Sequence, residues 1–109
     1  SEDNNDDSSS NKSDKKVKGS VTVSFSFDNP VRYSRHLVKP AYRCEGGGEV
    51  VVKVAIDRMG KVLYAYVESG GDECMRQTAV GAAKSSRFDH NNSAPAKQEG
   101  TITYIFIPQ

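Results

Sequence analysis

Two cysteines and two histidines are the side chains in this 109-residue chain that most readily bind metals or act as nucleophiles. They occur in the order His36, Cys44, Cys74, His90, which lacks the paired ligand spacing of a zinc site. Neither cysteine belongs to a CxxC motif, so we predict no metal centre and solvent-exposed histidines. One disulfide between Cys44 and Cys74 is the simplest use of the thiols. Two free thiols, or a reactive Cys74 near a helix N-terminus, are the alternatives.

A glycine run and a group of acids are the remaining candidates for chemistry. The run from Gly46 to Gly48 precedes a predicted strand rather than a helix, and it lacks the Lys-Ser or Lys-Thr pair that completes a phosphate-binding loop. The acids Glu68, Asp72 and Glu73 fall at predicted turn and helix-capping positions. No GxSxG or HExxH motif occurs. We therefore predict no enzymatic activity and no cofactor.

Composition divides the chain into a polar N-terminal segment and a nearly neutral remainder. Residues 1–18 contain a single apolar side chain, Val17, so they are predicted to be a disordered tether. From Gly19 onward there are eleven bases and nine acids. This balance provides no long basic stripe for a nucleic acid and no basic amphipathic helix for a membrane surface. We predict one folded domain, residues 19–109, that binds no nucleic acid.

Alternating apolar residues predict four strands, at residues 21–27, 49–57, 61–68 and 101–107. The second and third flank Asp57-Arg58-Met59-Gly60, which has the residues of a hairpin turn. Large residues of both parities in the third strand indicate either a bulge or a strand covered on both faces. Residues 31–42 fit neither period and are expected to be extended with at most a short turn, and residues 89–97 are expected to be a loop.

A helix is predicted after the Gly70-Gly71 turn, with Asp72 as its N-cap. Its buried face consists of small and flexible residues: Met75, Ala79, Ala82, Ala83 and Ser86. Phe88 is expected to fill the core where the helix ends. Aromatic residues on the strands are expected to form the core plus one partly covered sheet face, rather than a ligand platform: Phe25, Phe27, Tyr64, Tyr66, Tyr104 and Phe106.

The predicted fold class is α+β: a small antiparallel sheet, made of the hairpin and the C-terminal strand, with one helix packed on one face. The strand at residues 21–27 has no partner assigned by the sequence. An alternating strand without a partner is usually covered. It is expected to be added either to the edge of strand 101–107 in the same chain or to a second chain.

Several short motifs, in this order and spacing, resemble the TonB C-terminal domain family, in particular its short Bacteroidetes-type members. The resemblance covers residues 33–109. The motifs are Pro40-Ala41-Tyr42, Gly48-Glu49-Val50-Val51-Val52-Lys53-Val54, Asp57-Arg58-Met59-Gly60-Lys61-Val62, the helix from Cys74 to Ala83, Ser86-Arg87-Phe88, and Gln98-Glu99-Gly100-Thr101-Ile102-Thr103-Tyr104-Ile105-Phe106.

The resemblance implies a periplasmic receptor-binding domain of an energy transducer. Such a domain is tied to the inner-membrane motor proteins through an anchor upstream and pulls on TonB-dependent outer-membrane transporters. In the family, an extended transporter segment, the TonB box, adds to the edge of the last strand. Here that strand comprises Thr101, Ile102, Thr103, Tyr104, Ile105, Phe106 and Ile107.

Two alternatives remain open from the sequence. The anchor is either a transmembrane helix or a lipid, and with a lipid the protein is a lipoprotein adaptor or assembly domain that transmits no energy. Two copies of the chain could also form a homodimer by strand exchange. If the strand at residues 21–27 covers the docking edge in the same chain, deletion of residues 1–28 is predicted to strengthen peptide binding.

Overall fold

The computed structural model describes residues 19–108, which form six strands and one helix. In chain order these are β1 (Gly19–Ser26), β2 (Ser34–His36), β3 (Gly48–Ile56), β4 (Val62–Ser69), α1 (Glu73–Ser85), β5 (Arg87–Phe88) and β6 (Gln98–Pro108). The predicted tether, residues 1–18, lies outside the described residues.

The main sheet has four antiparallel strands in the order β1, β6, β3, β4. The short strands β2 and β5 pair with each other in a separate antiparallel ladder. The predicted α+β class, with the hairpin, the C-terminal strand and an added N-terminal strand, is confirmed. The sequence did not predict the pairing of β2 with β5, because three-residue and two-residue strands carry no periodic signal.

The hairpin between β3 and β4 turns where the sequence predicted. One carboxylate oxygen of Asp57, Oδ1, accepts hydrogen bonds from the backbone N–H groups of Met59 and Lys61, both at 2.9 Å. Gly60 has φ +84°, and a Cβ at this position would overlap the backbone carbonyl of Phe88. The pairing of β3 with β4 shifts register near each end, which agrees with the predicted bulge.

Helix α1 begins after Asp72, whose side chain accepts a hydrogen bond from the N–H of Met75 at 2.9 Å. The predicted inward face is confirmed, because Met75, Ala79, Ala82, Ala83 and Ser86 are all buried. The predicted disulfide is also present: Cys44 and Cys74 are bonded, with their Cα atoms 5.8 Å apart. It joins the segment before β3 to the first turn of α1.

One hydrophobic core lies between α1 and the sheet. Its strand residues alternate along the sheet, with Val50, Val52, Val54 and Ile56 from β3 and Ile102, Tyr104 and Phe106 from β6. Phe88 is buried at the end of the helix, as predicted. Tyr64 and Tyr66 have the parity on β4 that places them on the sheet face opposite α1, where Tyr66 is 51% exposed. This face is the partly covered one that the sequence predicted.

Candidate docking edge

The predicted docking strand, residues 101–107, is the central part of β6. Alternate side chains point to opposite faces. Ile102, Tyr104 and Phe106 are buried in the core, whereas Ile105 and Ile107 are 40% and 48% exposed. Thr101 and Thr103 are half-buried on the same face as Ile105. The side chains thus offer an apolar and a mixed face, and a partner strand would meet this segment through its backbone.

Both backbone edges of this segment are paired in the structure. On one side, β6 pairs with β3 in a register that includes Thr101 with Lys53 and Phe106 with Gly48. On the other side it pairs with β1 over eight residues, from Gly19 with Pro108 to Ser26 with Thr101. Of the two alternatives for the N-terminal strand, the structure has the intrachain one. A peptide can therefore pair with this edge of β6 only after β1 has left it.

The C-terminal end of β1 is held by aromatic contacts. Phe27, the residue after β1, is 3% exposed, and its ring centroid lies 4.9 Å from that of Phe88 in an edge-to-face arrangement. Phe25 also meets Phe88, at 5.3 Å. Gly100 permits this packing, because a Cβ at that position would overlap the Phe27 ring. Phe27 therefore belongs to the core.

A buried arginine binds the turn that follows β1 to the rest of the fold. The side chain of Arg32 is fully buried, and its Nε donates to Asp89 Oδ1 at 2.9 Å. Its Nη1 donates to Gln98 Oε1 at 3.0 Å. The Gln98 amide nitrogen in turn donates to the carbonyls of Asp28 at 2.9 Å and Pro30 at 2.7 Å. These side-chain hydrogen bonds connect the residues after β1 to Gln98, the first residue of β6.

The remaining Arg32 donors reach the backbone. Its Nη2 donates to the carbonyl oxygens of Asp57, Arg58 and Asp89. The guanidinium thus connects the β3–β4 turn with the loop before β6, and it has no donor facing solvent. We refer to Arg32, Asp89 and Gln98 together as the anchor cluster.

Asp89 is the acidic member of the anchor cluster and is about one quarter exposed, at 26% of its side chain. Burial by itself raises the pKa of this carboxyl. The N–H of Tyr33 and the Arg32 guanidinium outweigh that effect, so the net pKa lies below its ordinary value. Asp89 therefore stays ionised beside Arg32 at neutral pH.

The anchor cluster was not predicted from the sequence. Arg32 lies between Val31 and Tyr33 in a segment whose apolar residues fit neither period, and it is 1% exposed while those two neighbours are 53% and 66% exposed. The acceptors of Arg32 lie 25 to 66 positions away in the sequence. No local spacing could have indicated them.

The face of the sheet opposite α1 carries a second group of polar and aromatic side chains. Tyr64 and Tyr66 stack with ring centroids 6.1 Å apart, and Lys97 Nζ lies 5.9 Å from the Tyr64 ring centroid. The Tyr64 hydroxyl donates to Glu99, and this hydrogen bond raises the pKa of the tyrosine. These side chains bind one another at the end of the sheet where β6 begins.

The histidines and cysteines do not form one site. Each cysteine is committed to the disulfide, and the imidazole Nε2 of His90 contacts Asn92 Oδ1 at 2.8 Å. In residues 19–108, no cluster of three or more His, Cys, Asp or Glu side chains could hold a metal ion. Over the same residues, no helix is long and apolar enough to span a membrane.

Comparison of the chain with family models, curated proteins and solved structures found no match.

Proposed function

We propose that this chain is the periplasmic receptor-binding domain of a TonB-like energy transducer and is not an enzyme. On this proposal it docks the TonB box of an outer-membrane transporter by strand addition at β6, and an upstream anchor connects it to the inner-membrane motor. The basis is the resemblance of residues 33–109, together with a sheet whose last strand, β6, is bordered by a strand distant in sequence, β1.

The pairing of β1 with β6 is the observation that carries the proposal. β1 is far from β6 in sequence, is not connected to it by a hairpin, and pairs with it in an unbroken antiparallel register. It therefore lies where an added strand would lie, and its alternating apolar residues, Val21, Val23 and Phe25, point to the core face. A transporter segment with this alternation would replace β1.

The same contacts indicate where β1 would detach. On this proposal Phe27 and the residues bound by the anchor cluster stay with the core, and Gly19–Ser26 moves as an arm hinged after Ser26. This movement requires Val21 to leave the core and Phe25 to leave Phe88. The backbone hydrogen bonds that β6 loses with β1 are regained with the incoming segment. The exchange therefore costs much less free energy than exposure of the β6 edge to water.

A second candidate function is a lipoprotein adaptor that uses the same fold without energy transduction. The burial of Val21 and the edge-to-face contact of Phe25 with Phe88 favour this alternative, because both residues belong to β1 and keep it on the β6 edge. In that case the transporter segment would not displace β1.

A disulfide lock distinguishes these functions. Thr22 and Ile105 are register partners on β1 and β6, and both are exposed, so cysteines at these positions can bond without entering the core. TonB-box peptides are titrated into the isotope-labelled protein while the amide signals of residues 101–107 and of β1 are followed. The single Thr22→Cys and Ile105→Cys variants are the matched controls.

The proposal predicts that peptides shift both sets of amides in the wild type and the single-cysteine controls, and that the locked protein does not bind. If the locked protein binds as well as the wild type, docking at β6 is wrong. If no peptide shifts residues 101–107 in any of these proteins, the adaptor function is favoured.

A further inference from the structure

Two inward side chains of β1 occupy different kinds of site on the core face of the sheet. Val21 lies opposite Phe106 in the register with β6 and is 3% exposed, whereas Phe25 lies opposite Ile102 and is half-buried. Alternate residues of a strand point to the same face, so the two sites are four positions apart along the strand. If β1 leaves β6, both sites open to an incoming segment.

The site of Phe25 is lined by aromatic rings. The Phe25 ring meets Phe88 edge-to-face, with the centroids 5.3 Å apart and an interplanar angle of 68°, and its centroid lies 6.4 Å from that of Phe27. Phe27 and Phe88 also meet each other edge-to-face, at 4.9 Å. The three rings therefore form one cluster in which every pair lies within the distance of favourable aromatic contact.

Two of these rings stay in place when β1 moves as proposed. Phe88 is buried, and its backbone N–H donates to the carbonyl of Gly60 at 2.9 Å. Phe27 is also buried, and the residue after it, Asp28, accepts a hydrogen bond from the Gln98 amide. Departure of Phe25 then leaves an open place beside both rings, which we call the aromatic subsite.

The site of Val21 is closed by the core. Its register partner, Phe106, packs against the fully buried ring of Tyr42, with the centroids 4.7 Å apart. The Tyr42 hydroxyl donates to the carbonyl of Glu45 at 3.2 Å, which fixes the position of this ring. Because Val21 is itself buried, a larger side chain in its place must displace core neighbours. We call this place the aliphatic subsite.

We infer, on the basis of the proposed function, that Phe27 and Phe88 select the transporter segment by an aromatic residue. The fitting segment pairs antiparallel with β6 and has a small aliphatic residue opposite Phe106. Its aromatic residue follows four positions later, opposite Ile102. This ring regains the edge-to-face contact with Phe88 that Phe25 makes in the closed protein, whereas an alanine leaves apolar ring surface open to water.

The order of the two residues matters because the two subsites differ in size. In the reverse order, the aromatic ring would enter the aliphatic subsite, where overpacking opposes it. The other positions of the segment are less selective. Val23, between the subsites, is half-buried, and Thr22 and Ser24 are exposed on the opposite face. Side chains at these positions can vary with little change in affinity.

The test uses the whole chain and three octapeptides. The first has the sequence of Gly19–Ser26, the second has alanine in place of its phenylalanine, and the third exchanges that phenylalanine with the first valine, so its composition is unchanged. They are titrated into the Phe25→Ala protein, whose own strand no longer fills the aromatic subsite. Ser24→Ala is the matched control, because Ser24 is exposed and Phe25 stays in place. Amide signals of residues 101–107 report docking at β6.

The first peptide is expected to bind the Phe25→Ala protein at least about tenfold more tightly than either of the others. It should bind the Ser24→Ala protein more weakly, because Phe25 still competes there. The wild type should give the same ratio among the peptides, since its β1 competes equally with all three, so the test stands even if Phe25→Ala fails to fold. Nuclear Overhauser contacts should join the peptide ring to Phe88. Equal affinities of the three peptides overturn the inference, as does a bound peptide ring that contacts neither Phe27 nor Phe88.

A TonB-box peptide, titrated in parallel, separates this inference from the proposed function. If it shifts residues 101–107 while the three octapeptides bind equally or not at all, docking at β6 stands and selection by the aromatic subsite is wrong. If no peptide of either kind shifts these residues in any of the proteins, both are wrong.

Discussion

Arg32 is the side chain on which the segment after β1 depends most. It is buried, charged and bonded to Asp89, to Gln98 and to the backbone of the β3–β4 turn. A buried ion pair adds little net stability compared with an apolar replacement of both partners, but removal of one partner leaves the other buried without compensation.

The Arg32→Met variant is therefore expected to lower the free energy of unfolding by about 2 to 4 kcal/mol. Arg35→Met is its control, because Arg35 is exposed on β2 three positions away, and its loss should change stability by less than about 0.5 kcal/mol. Urea denaturation measures both variants. If Arg32→Met and Arg35→Met have equal free energies of unfolding, the anchor cluster does not stabilise the fold.

The lowered pKa of Asp89 makes part of the stability dependent on pH. A carboxyl whose pKa is lower in the folded state stabilises the protein above its ordinary pKa, here 3.8, and this contribution is lost as the pH falls through the folded value. Asp89→Asn is expected to be less stable than the wild type near pH 6, and the difference should shrink towards acid. A difference that stays constant down to pH about 2 would contradict the assigned role.

Tyr104 and Ser86 are neighbouring buried hydroxyls that differ in their hydrogen bonds. Ser86 Oγ accepts from Val38 N–H at 3.1 Å and donates to the Ala82 carbonyl at 2.9 Å. The Tyr104 hydroxyl makes no hydrogen bond of normal geometry among the described residues. Burial raises its pKa, and the neighbouring Ser86 hydroxyl opposes this rise only in part.

Because an unpaired buried hydroxyl contributes no bond, Tyr104→Phe is expected to leave stability unchanged or to raise it by up to about 1 kcal/mol. Ser86→Ala is expected to lower it by about 1 to 3 kcal/mol, since it breaks two bonds. Thermal or urea unfolding compares them. A large loss in Tyr104→Phe would reveal a partner for that hydroxyl.

At the scale of elements, α1 contains a glycine that the fold itself does not require. Gly81 lies in the helix interior, and a Cβ at that position would meet only open space. Gly81→Ala is therefore expected to stabilise the protein by about 0.5 to 1 kcal/mol. Gly60→Ala should do the opposite, since Gly60 has positive φ and touches the Phe88 backbone. Chemical denaturation checks both signs, and destabilisation by Gly81→Ala would contradict the described packing.

The elements also show which parts of the fold a sequence encodes locally. The hairpin, the N-cap of α1 and the disulfide depend on residues close in sequence or on a single pair, and all three were predicted correctly. The pairing of β2 with β5 and the burial of Arg32 depend on contacts between residues 25 to 66 positions apart, which no periodicity reports. The partner of β1 was left open because alternation defines a strand's faces but not its neighbour.

At the scale of the whole molecule, the Cys44–Cys74 disulfide closes a loop with a sequence separation of 30. In the chain-entropy description such a bond stabilises the fold by about 3 to 4 kcal/mol. Replacement of both cysteines by alanine is expected to lower the free energy of unfolding by that amount, as measured by urea denaturation. Reducing agent should lower the stability of the wild type and leave the double variant unchanged. If reduction has no effect on the wild type, the bond does not support the fold.

Whether β1 covers the docking strand decides how the whole molecule would work. If β1 occupies the β6 edge most of the time, the apparent affinity for a transporter segment is reduced by the fraction of molecules in which the edge is open. The affinity of the domain is then set by its own N-terminal strand as well as by the partner.

The most direct measurement is the affinity of a TonB-box peptide for two truncated proteins, one lacking residues 1–18 and one lacking residues 1–26. The first keeps β1, and the second removes it but retains Phe27 in the core. The proposal predicts that the shorter protein binds at least about tenfold more tightly. Equal or weaker binding by the shorter protein, with its core signals intact, would contradict docking at β6.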